Sequence, residues 1–455
     1  MLQKGTDCKM LDDLYQQAGN QLVVVYGEKD SSKSEELKRF LEGKKSFYYR
    51  CRQVSLERQR QMMAEEVSKQ YEVKLQTEDY EEMFRRVKSG DASKLVVVID
   101  EASYVLKKDV NLWKSLLALK NRELYPGPVM ILLVSSSTVW VEQELLLAEE
   151  LEIYRKKMDA VIKVGPLTFL DVVRRFPSLS VSDIVRVYGI LGGTAGYLNH
   201  WDEKQSFKQN VCKLILSPDG YLFSKAEDLI ASELRELSVY NTILAALASD
   251  NNKLNDLYHL TGYSRAKISV YMKNLAHFDI VEKVVSFETV GWDNAKKGVY
   301  QIQNTYVNFW YKFVFPHLSD LYSMTPEAFY DRYLEGEIDS YLNRYFRNVC
   351  MEYLSLLNRM GRLPVRVVKM GTWIGKTGNI DIIAQSADRQ NLVGLCNWEH
   401  DMLSAEHFEK LLEAMNQAKL TSNHYYLFSA KSFDPEIVDL AQSDPRVELV
   451  DMNEL

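Results

Sequence analysis

Several things are scarce in this chain, and each scarcity excludes a class of protein. No apolar run approaches the ~18 residues that cross a bilayer, and no charged N-terminal segment leads into an apolar one, so neither a membrane span nor an export signal is expected. Cysteine is sparse: Cys8, Cys51, Cys212, Cys350 and Cys396 are odd in number, scattered, and without metal-ligand spacing. That argues against a disulfide framework or a thiolate metal site and for reduced thiols in a cytoplasmic protein. Positive charge is in deficit, with 56 Lys and Arg against 63 Asp and Glu and a net charge of −7. No overall basic field draws the chain to nucleic acid, although a local basic face stays open. Low-complexity tracts and internal repeats are missing as well.

What remains is an ordinary globular composition. The 455 residues suggest about three domains at ~150 residues each. An apolar content of 46 % is ample for real cores.

The most informative stretch is Gln21-Leu-Val-Val-Val-Tyr-Gly-Glu-Lys-Asp-Ser-Ser-Lys-Ser34. Leu22 to Tyr26 reads as a strand buried on both faces, Gly27 as a turn, and Lys33 as the start of a helix. The pattern G-x-x-x-x-S-K-S differs by one residue from the phosphate-binding loop G-x-x-x-x-G-K-[ST]. In such a loop a helix N-terminus and converging backbone N–H groups face phosphate. The candidate nucleotide-binding residues are therefore Gly27, Glu28, Lys29, Asp30, Ser31, Ser32, Lys33 and Ser34. Lys33 would reach the β and γ oxygens, and Ser34 would hold Mg²⁺. Ser32 replaces the usual glycine. If its backbone is left-handed, that replacement costs roughly 1–2 kcal/mol.

A second strand supports the first. Lys94-Leu-Val-Val-Val-Ile-Asp-Glu101 is an apolar run ending in two carboxylates, the form of a Walker B strand. The acids would emerge at the C-terminal end of a parallel strand, where α/β sheets bind ligands. Asp100 is the candidate second metal residue, acting through water, and Asp100 and Glu101 are the catalytic candidates, with Glu101 orienting or deprotonating the attacking water. Val129 to Val134 is a further buried strand, ending in a serine run in which Ser136 is the candidate reader of the γ-phosphate. Tyr154-Arg-Lys-Lys157 could supply an arginine finger in cis or from a neighbouring subunit of a homo-oligomer, or could be a plain solvated loop. Alternating strands and helices over residues 1–165 predict a parallel sheet covered on both faces.

Residues 166–232 read as a helical lid, with a hinge-like glycine turn in Val187-Tyr-Gly-Ile-Leu-Gly-Gly-Thr-Ala-Gly-Tyr-Leu198. Residues 233–305 read as a winged helix: helices at about 233–249, 253–261 and 265–278, then strands at 281–290 and 298–302. Ser264 caps the third helix, and Ile268, Met272 and Leu275 fall at helical spacing on it. Arg265, Lys267 and Lys273 on that helix, with Lys296 and Lys297 on the wing, are candidate DNA contacts. A winged helix can equally serve only to pack domains together. Residues 306–330 form an aromatic connector, expected as an interdomain core.

Residues 331–455 read as a small α/β domain whose strand–Asp–strand order is similar to the restriction-endonuclease core. That chemistry needs D…(D/E)-x-K to hold Mg²⁺ and activate water. Here Asp381 supplies the first acid, but Leu395 and Asn397 stand where the second acid and the lysine belong. A nuclease-like fold without nuclease activity is expected.

Taken in order, the motifs resemble the prokaryotic AAA-like, STAND-type P-loop ATPases that carry a C-terminal nuclease-like domain. The family's loop reads Y-G-R-R-x-x-G-K-[ST], and the chain keeps Tyr26, Gly27, Lys33 and Ser34, with Lys29 at an arginine position. The acids of Walker B are intact at Asp100-Glu101. The lid motif G-G-x-P-x-Y-L appears as Gly192-Gly-Thr-Ala-Gly-Tyr-Leu198, with Ala195 for proline, and F-W-Y-x-F is kept at Phe309 to Phe313. Of the nuclease positions, F-E is Phe346-Arg347, E-I-D is Asn379-Ile-Asp381, and G-E-C-K-W is Gly394-Leu-Cys-Asn-Trp398. The resemblance implies an ATP- and Mg²⁺-binding switch of slow turnover, acting on DNA or on a protein partner and not on a membrane. The competing expectation is a non-catalytic interaction scaffold, or a winged-helix DNA binder with degenerate ATPase and nuclease domains.

Overall fold

Three strands of this chain are buried along their whole length, and their side chains alternate between two cores. The computed structural model describes residues 3–5, 9–88, 90, 93–288, 298–375 and 378–454. Cys8, Lys296 and Lys297 lie outside them; the four cysteines within them are all free. The chain divides into two compact units, 1–166 with 194–196, and 167–193 with 197–455.

The first unit is built on six parallel strands: β1 (Gln3–Gly5), β2 (Gln21–Tyr26), β3 (Ser46–Arg50), β4 (Leu95–Asp100), β5 (Val129–Ser135) and β6 (Ala160–Lys163). Their order in the sheet is β1-β6-β2-β5-β4-β3. Leu22, Val24 and Tyr26 enter one apolar cluster and Val23 and Val25 the other, so β2 is covered on both faces. That two-sided burial explains why β2, β4 and β5 read as unbroken apolar runs, and each buried Val or Leu contributes ~1.5–3 kcal/mol. A parallel sheet with helical crossovers, a turn after β2 and a helix at Lys33–Leu41 constitute a P-loop NTPase fold. Because β5 lies between β2 and β4, the ends of the loop strand, the serine strand and the acid-tipped strand are brought side by side.

The second unit has one continuous apolar cluster running from Phe169 to Met452. It contains helices at Val181–Leu191, Leu237–Ala248, Leu254–Thr261 and Arg265–His277, then an antiparallel pair β7 (Val281–Val284) and β8 (Val299–Ile302). The aromatic segment after Asn304 is fully internal, with Tyr306, Phe309, Trp310 and Tyr311 all buried. A long helix, Ile338–Arg359, leads into β9 (Val367–Ile374), β10 (Asn379–Ser386) and β11 (Asn391–Asn397). β12 (Met402–Leu403) pairs with β14 (Ser432–Phe433), while β13 (His424–Ser429) and β15 (Val447–Asp451) complete a sheet of order β15-β13-β11-β10-β9. Its β9-β10-β11 edge is antiparallel and the rest is parallel.

Two element boundaries differ from the sequence expectation. The helix expected from 233 begins at Leu237: the preceding helix ends at Glu233, where Leu234 turns extended, and Glu236 takes a left-handed backbone (φ 58°) just before the new helix. The strand expected over 281–290 stops at Val284; the chain then bends so that the Phe287 N–H donates to Thr372 O at 2.9 Å, beside β9.

The paired glycines at 192–193 are required by geometry. Gly192 ends the helix Val181–Leu191 with a φ of 61°, where a Cβ is strained. A Cβ on Gly193 would lie 1.9 Å from Leu167 O, and Gly193 O accepts from Leu167 N–H at 2.8 Å. Gly193→Ala is therefore expected to destabilise the protein by ~1–3 kcal/mol through overpacking against backbone. The denaturant midpoint should fall with the m-value unchanged; an unshifted midpoint would show that the turn can relax.

Candidate functional site

At the C-terminal ends of β2, β5 and β4 a single chain of hydrogen bonds runs from lysine to carboxylate. Lys33, at the start of its helix, donates from Nζ to Ser136 Oγ at 3.0 Å and reaches Glu28 O at 3.4 Å. Ser136 Oγ donates to Glu101 Oε1 at 2.6 Å, and its N–H reaches Glu101 Oε2 at 3.3 Å. Asp100 lies beside Glu101, with Asp100 Oδ1 accepting from Glu101 N–H at 2.9 Å. The structure thus brings together Lys33, Ser136, Asp100 and Glu101, which the sequence placed on three separate segments.

The electrostatics follow from burial. Lys33 is 4 % exposed, and burial lowers its pKa from the ordinary lysine value, while the Glu101 and Asp100 carboxylates oppose that shift. An anionic phosphate in the loop would add to the stabilisation of the ammonium form. Glu101 has a φ of 52°, an uncommon conformation for a residue with a side chain. The strand ends at Asp100, and the turn at 101 directs the second carboxylate across to Ser136 on the neighbouring strand.

The loop itself is shaped by two glycine contacts. A Cβ on Gly27 would meet Val164 O at 2.2 Å, so only glycine fits there. Gly196 donates its N–H to Asp30 O at 2.7 Å, and a Cβ on it would lie 2.7 Å from Asp30 Cβ. Asp30 holds a φ of 64°. Thr194 to Gly196, from the glycine motif, thereby close over the loop within the first unit. Ser32 is right-handed (φ −65°), so the left-handed penalty considered for it does not arise. Ser32 O accepts from Glu36 N–H at 2.9 Å as the first bond of the helix. Ser31 keeps its Oγ buried without a partner, whereas Lys29 and Ser34 are exposed and Glu28 is half-buried.

Two residues that the sequence reading overlooked join this group. Tyr48 donates its hydroxyl to Asp100 Oδ2 at 2.6 Å, and burial, with the bond to Asp100, holds its pKa well above the ordinary value. Arg50 brings Nε to 3.6 Å from Asp100 Oδ2 and Nη2 to 3.9 Å from Glu101 Oε1, with its side chain 64 % exposed. Their signal was the period of two in Ser-Phe-Tyr-Tyr-Arg, which puts Tyr48 and Arg50 on one face of β3, with Arg50 in register with Asp100. The Arg155 finger candidate is committed elsewhere: its Nη1 donates to Leu146 O at 2.8 Å and Ala148 O at 3.3 Å.

Among the described residues no cluster of three or more His, Cys, Asp and Glu could hold a metal ion. Ser34 is exposed at the start of its helix, and Asp100 is buried at the end of β4.

In the second unit, Asp381 accepts from Cys396 N–H at 3.0 Å. Burial raises its pKa, while the Arg347 guanidinium and the Cys396 N–H pull the other way. Arg347 thus places a cation beside Asp381. Asn397 is spent on structure, donating to His400 O at 3.0 Å and Ser429 Oγ at 3.2 Å, and Leu395 packs into apolar clusters. On the helix Arg265–His277, Arg265, Lys267 and Lys273 are all exposed. Arg265 lies over the Tyr258 ring at 4.1 Å and Lys267 over Tyr263 at 4.6 Å. Among the described residues, no helix is long and apolar enough to cross a membrane.

Comparison with known proteins adds the following. A family model described as archaea bacterial proteins of unknown function matches residues 310–411. An uncharacterized protein of Methanocaldococcus jannaschii is 25 % identical over 396 residues, covering 86 % of each chain. Among solved structures, a Walker-type ATPase of Pyrococcus abyssi is similar at 17 % identity and a TM-score of 0.44, covering 67 % of this chain and 94 % of that one. The ORC1 protein of Aeropyrum pernix in complex with DNA is similar at 14 % identity and a TM-score of 0.32, covering 69 % and 93 %. TM-scores this low carry no functional weight, and the reading below rests on the geometry.

Ser32→Gly tests the backbone account of the loop. With Ser32 right-handed and making no side-chain cap bond, glycine should change stability by only a few tenths of a kcal/mol. A stabilisation of ~1 kcal/mol or more in thermal or chemical unfolding would mean that the serine is strained after all.

Proposed function

We propose that this protein binds ATP with Mg²⁺ at the Gly27–Ser34 loop and acts as a nucleotide-dependent switch with slow hydrolysis. The observation that supports it best is the Lys33–Ser136–Glu101 relay, set between the loop and the acid-tipped strand. In this reading Lys33 binds the terminal phosphates and Ser34 and Asp100 hold the metal. Glu101 takes the proton of the attacking water, and Ser136 couples the carboxylate to the γ-phosphate position. Tyr48 and Arg50 fix and partly neutralise the acids. Slow turnover fits a Glu101 already engaged by Ser136 and an Ala195 in place of the family's proline. The Asp30–Gly196 contact ties the loop to the glycine motif, a route by which phosphate occupancy would be felt beyond the sheet. The domain reading is ATPase 1–165, lid 166–232, winged helix 233–305, aromatic connector 306–330 and nuclease-like domain 331–455.

Calorimetry with Mg²⁺ and a non-hydrolysable ATP analogue should give saturable binding that falls at least about tenfold in Lys33→Ala, the scale of a lost charge-assisted hydrogen bond. Equal affinities would remove the loop from the account. Glu101→Gln should abolish turnover while leaving binding; if wild-type turnover is nil and Glu101→Gln changes nothing, the protein is the alternative, a scaffold without catalysis.

A second reading is favoured by one observation. The helix Arg265–His277 buries only Ile268, Met272 and Leu275 and leaves its basic face open, as a recognition helix must. Double substitution Arg265→Ala/Lys267→Ala should weaken duplex DNA binding and flatten its dependence on salt. The duplex should stay uncut in Mg²⁺ or Mn²⁺, since Arg347, Leu395 and Asn397 leave Asp381 without metal-binding company. Salt-independent or unchanged affinity would assign the helix to packing.

A further inference from the structure

A cavity of about 310 Å³ lies within the second unit between the β8 strand, the aromatic segment and the helix Ile338–Arg359. Lys312, Arg344 and Arg347 line it, together with Tyr300, Tyr341 and Ser340. Arg344 and Arg347 each keep a buried Nε with no hydrogen-bond partner. Buried guanidinium N–H groups are costly to leave unsatisfied, and such groups are almost always paired. Arg344 spends Nη2 on Ile302 O at 2.8 Å, and neither arginine forms an ion pair with a carboxylate among the described residues. The carboxylates lining the cavity are Asp250 and Glu337, both exposed; Asp250 pairs with Lys312 at 3.1 Å and is 88 % exposed, so an anion could displace it. Asp381, outside the lining, is near enough to Arg347 to feel its charge, and Arg344 has no such carboxylate partner among the described residues.

We infer that this cavity binds a small phosphorylated ligand, a phosphomonoester of mononucleotide size or less. With Lys312, the two guanidinium groups give the cavity wall three cations, and a guanidinium matches the oxygens of a phosphate in a way that lysine alone does not. The volume stands at the low end of the ~300–1,000 Å³ range of small-molecule pockets, enough for a phosphate and a modest body. Tyr300 and Tyr341 offer flat apolar walls for that body, and the exposed Ser340 stands at the rim. The cavity touches β8 through Val299 to Ile302 and the aromatic segment through Lys312. A ligand there would therefore be held by β8, that segment and the helix Ile338–Arg359.

The phosphate could come from a free metabolite or from a nucleic-acid backbone, and the experiment separates them. Full-length protein is titrated calorimetrically with inorganic phosphate, with adenosine monophosphate and with a short DNA duplex, each also against Lys33→Ala to silence the loop. Saturable binding of adenosine monophosphate that persists in Lys33→Ala and weakens about tenfold or more in Arg344→Gln is the expected result. Ser340→Trp fills the mouth from an exposed position and should weaken it likewise, which guards against misfolding of the arginine variant. Binding that vanishes in Lys33→Ala, or that ignores both Arg344→Gln and Ser340→Trp, overturns the inference. Duplex binding that is lost in Arg344→Gln, without binding of the monophosphate, overturns the small-ligand assignment in favour of backbone phosphate.

Discussion

The first unit depends on how one buried ammonium is kept charged. Lys33 sits at the foot of a helix, nearly out of reach of water, and burial works against its proton. Its compensation comes from Glu101 and Asp100, on a strand that is not even adjacent to its own. The sheet order makes this work: β5 intervenes and supplies Ser136 as the link. Any change that shifts β4 or β5 along its axis by one residue would break the link. The register sets Ile99 opposite Leu133 and Val25 opposite Val134; uniform apolar runs do not fix it alone, since a slip exchanges one apolar side chain for another.

Much of this was legible in the sequence because two-sided burial and acid-tipped strands leave strong one-dimensional patterns. The loop, β4 with its acids and β5 with its serines all stand where the residues put them. The parts that were not legible depend on neighbours distant in the chain. Tyr48 and Arg50 matter only because β3 pairs in parallel with β4, a fact no local pattern carries. The right-handed backbone of Ser32 could not be read from its identity, since serine tolerates a helix start while the loop motif suggests glycine. The end of β7 at Val284 reflects a tertiary bond from Phe287 to Thr372, which overrides the local preference of a valine-rich run.

The second unit follows a different logic. One large core from Phe169 to Met452 gathers the helices after Leu167, the three helices and the β7–β8 pair, the aromatic segment and one side of the C-terminal sheet, while two smaller clusters lie elsewhere on that sheet. Many aromatic residues are buried in it, and Asn308 donates to the Tyr345 hydroxyl at 2.7 Å inside it. Beside the buried Asp381 of the C-terminal sheet stands the Arg347 guanidinium, which offsets part of the effect of burial on that carboxyl.

Glu101 carries a consequence that concerns selection more than mechanism. Its φ of 52° costs a residue with a side chain on the order of 1 kcal/mol, which glycine would not incur. A lineage under pressure only for stability would drift toward glycine, asparagine or aspartate at this turn. A glutamate held there against the grain of the backbone is what carries a carboxylate across to Ser136 and toward the buried Lys33.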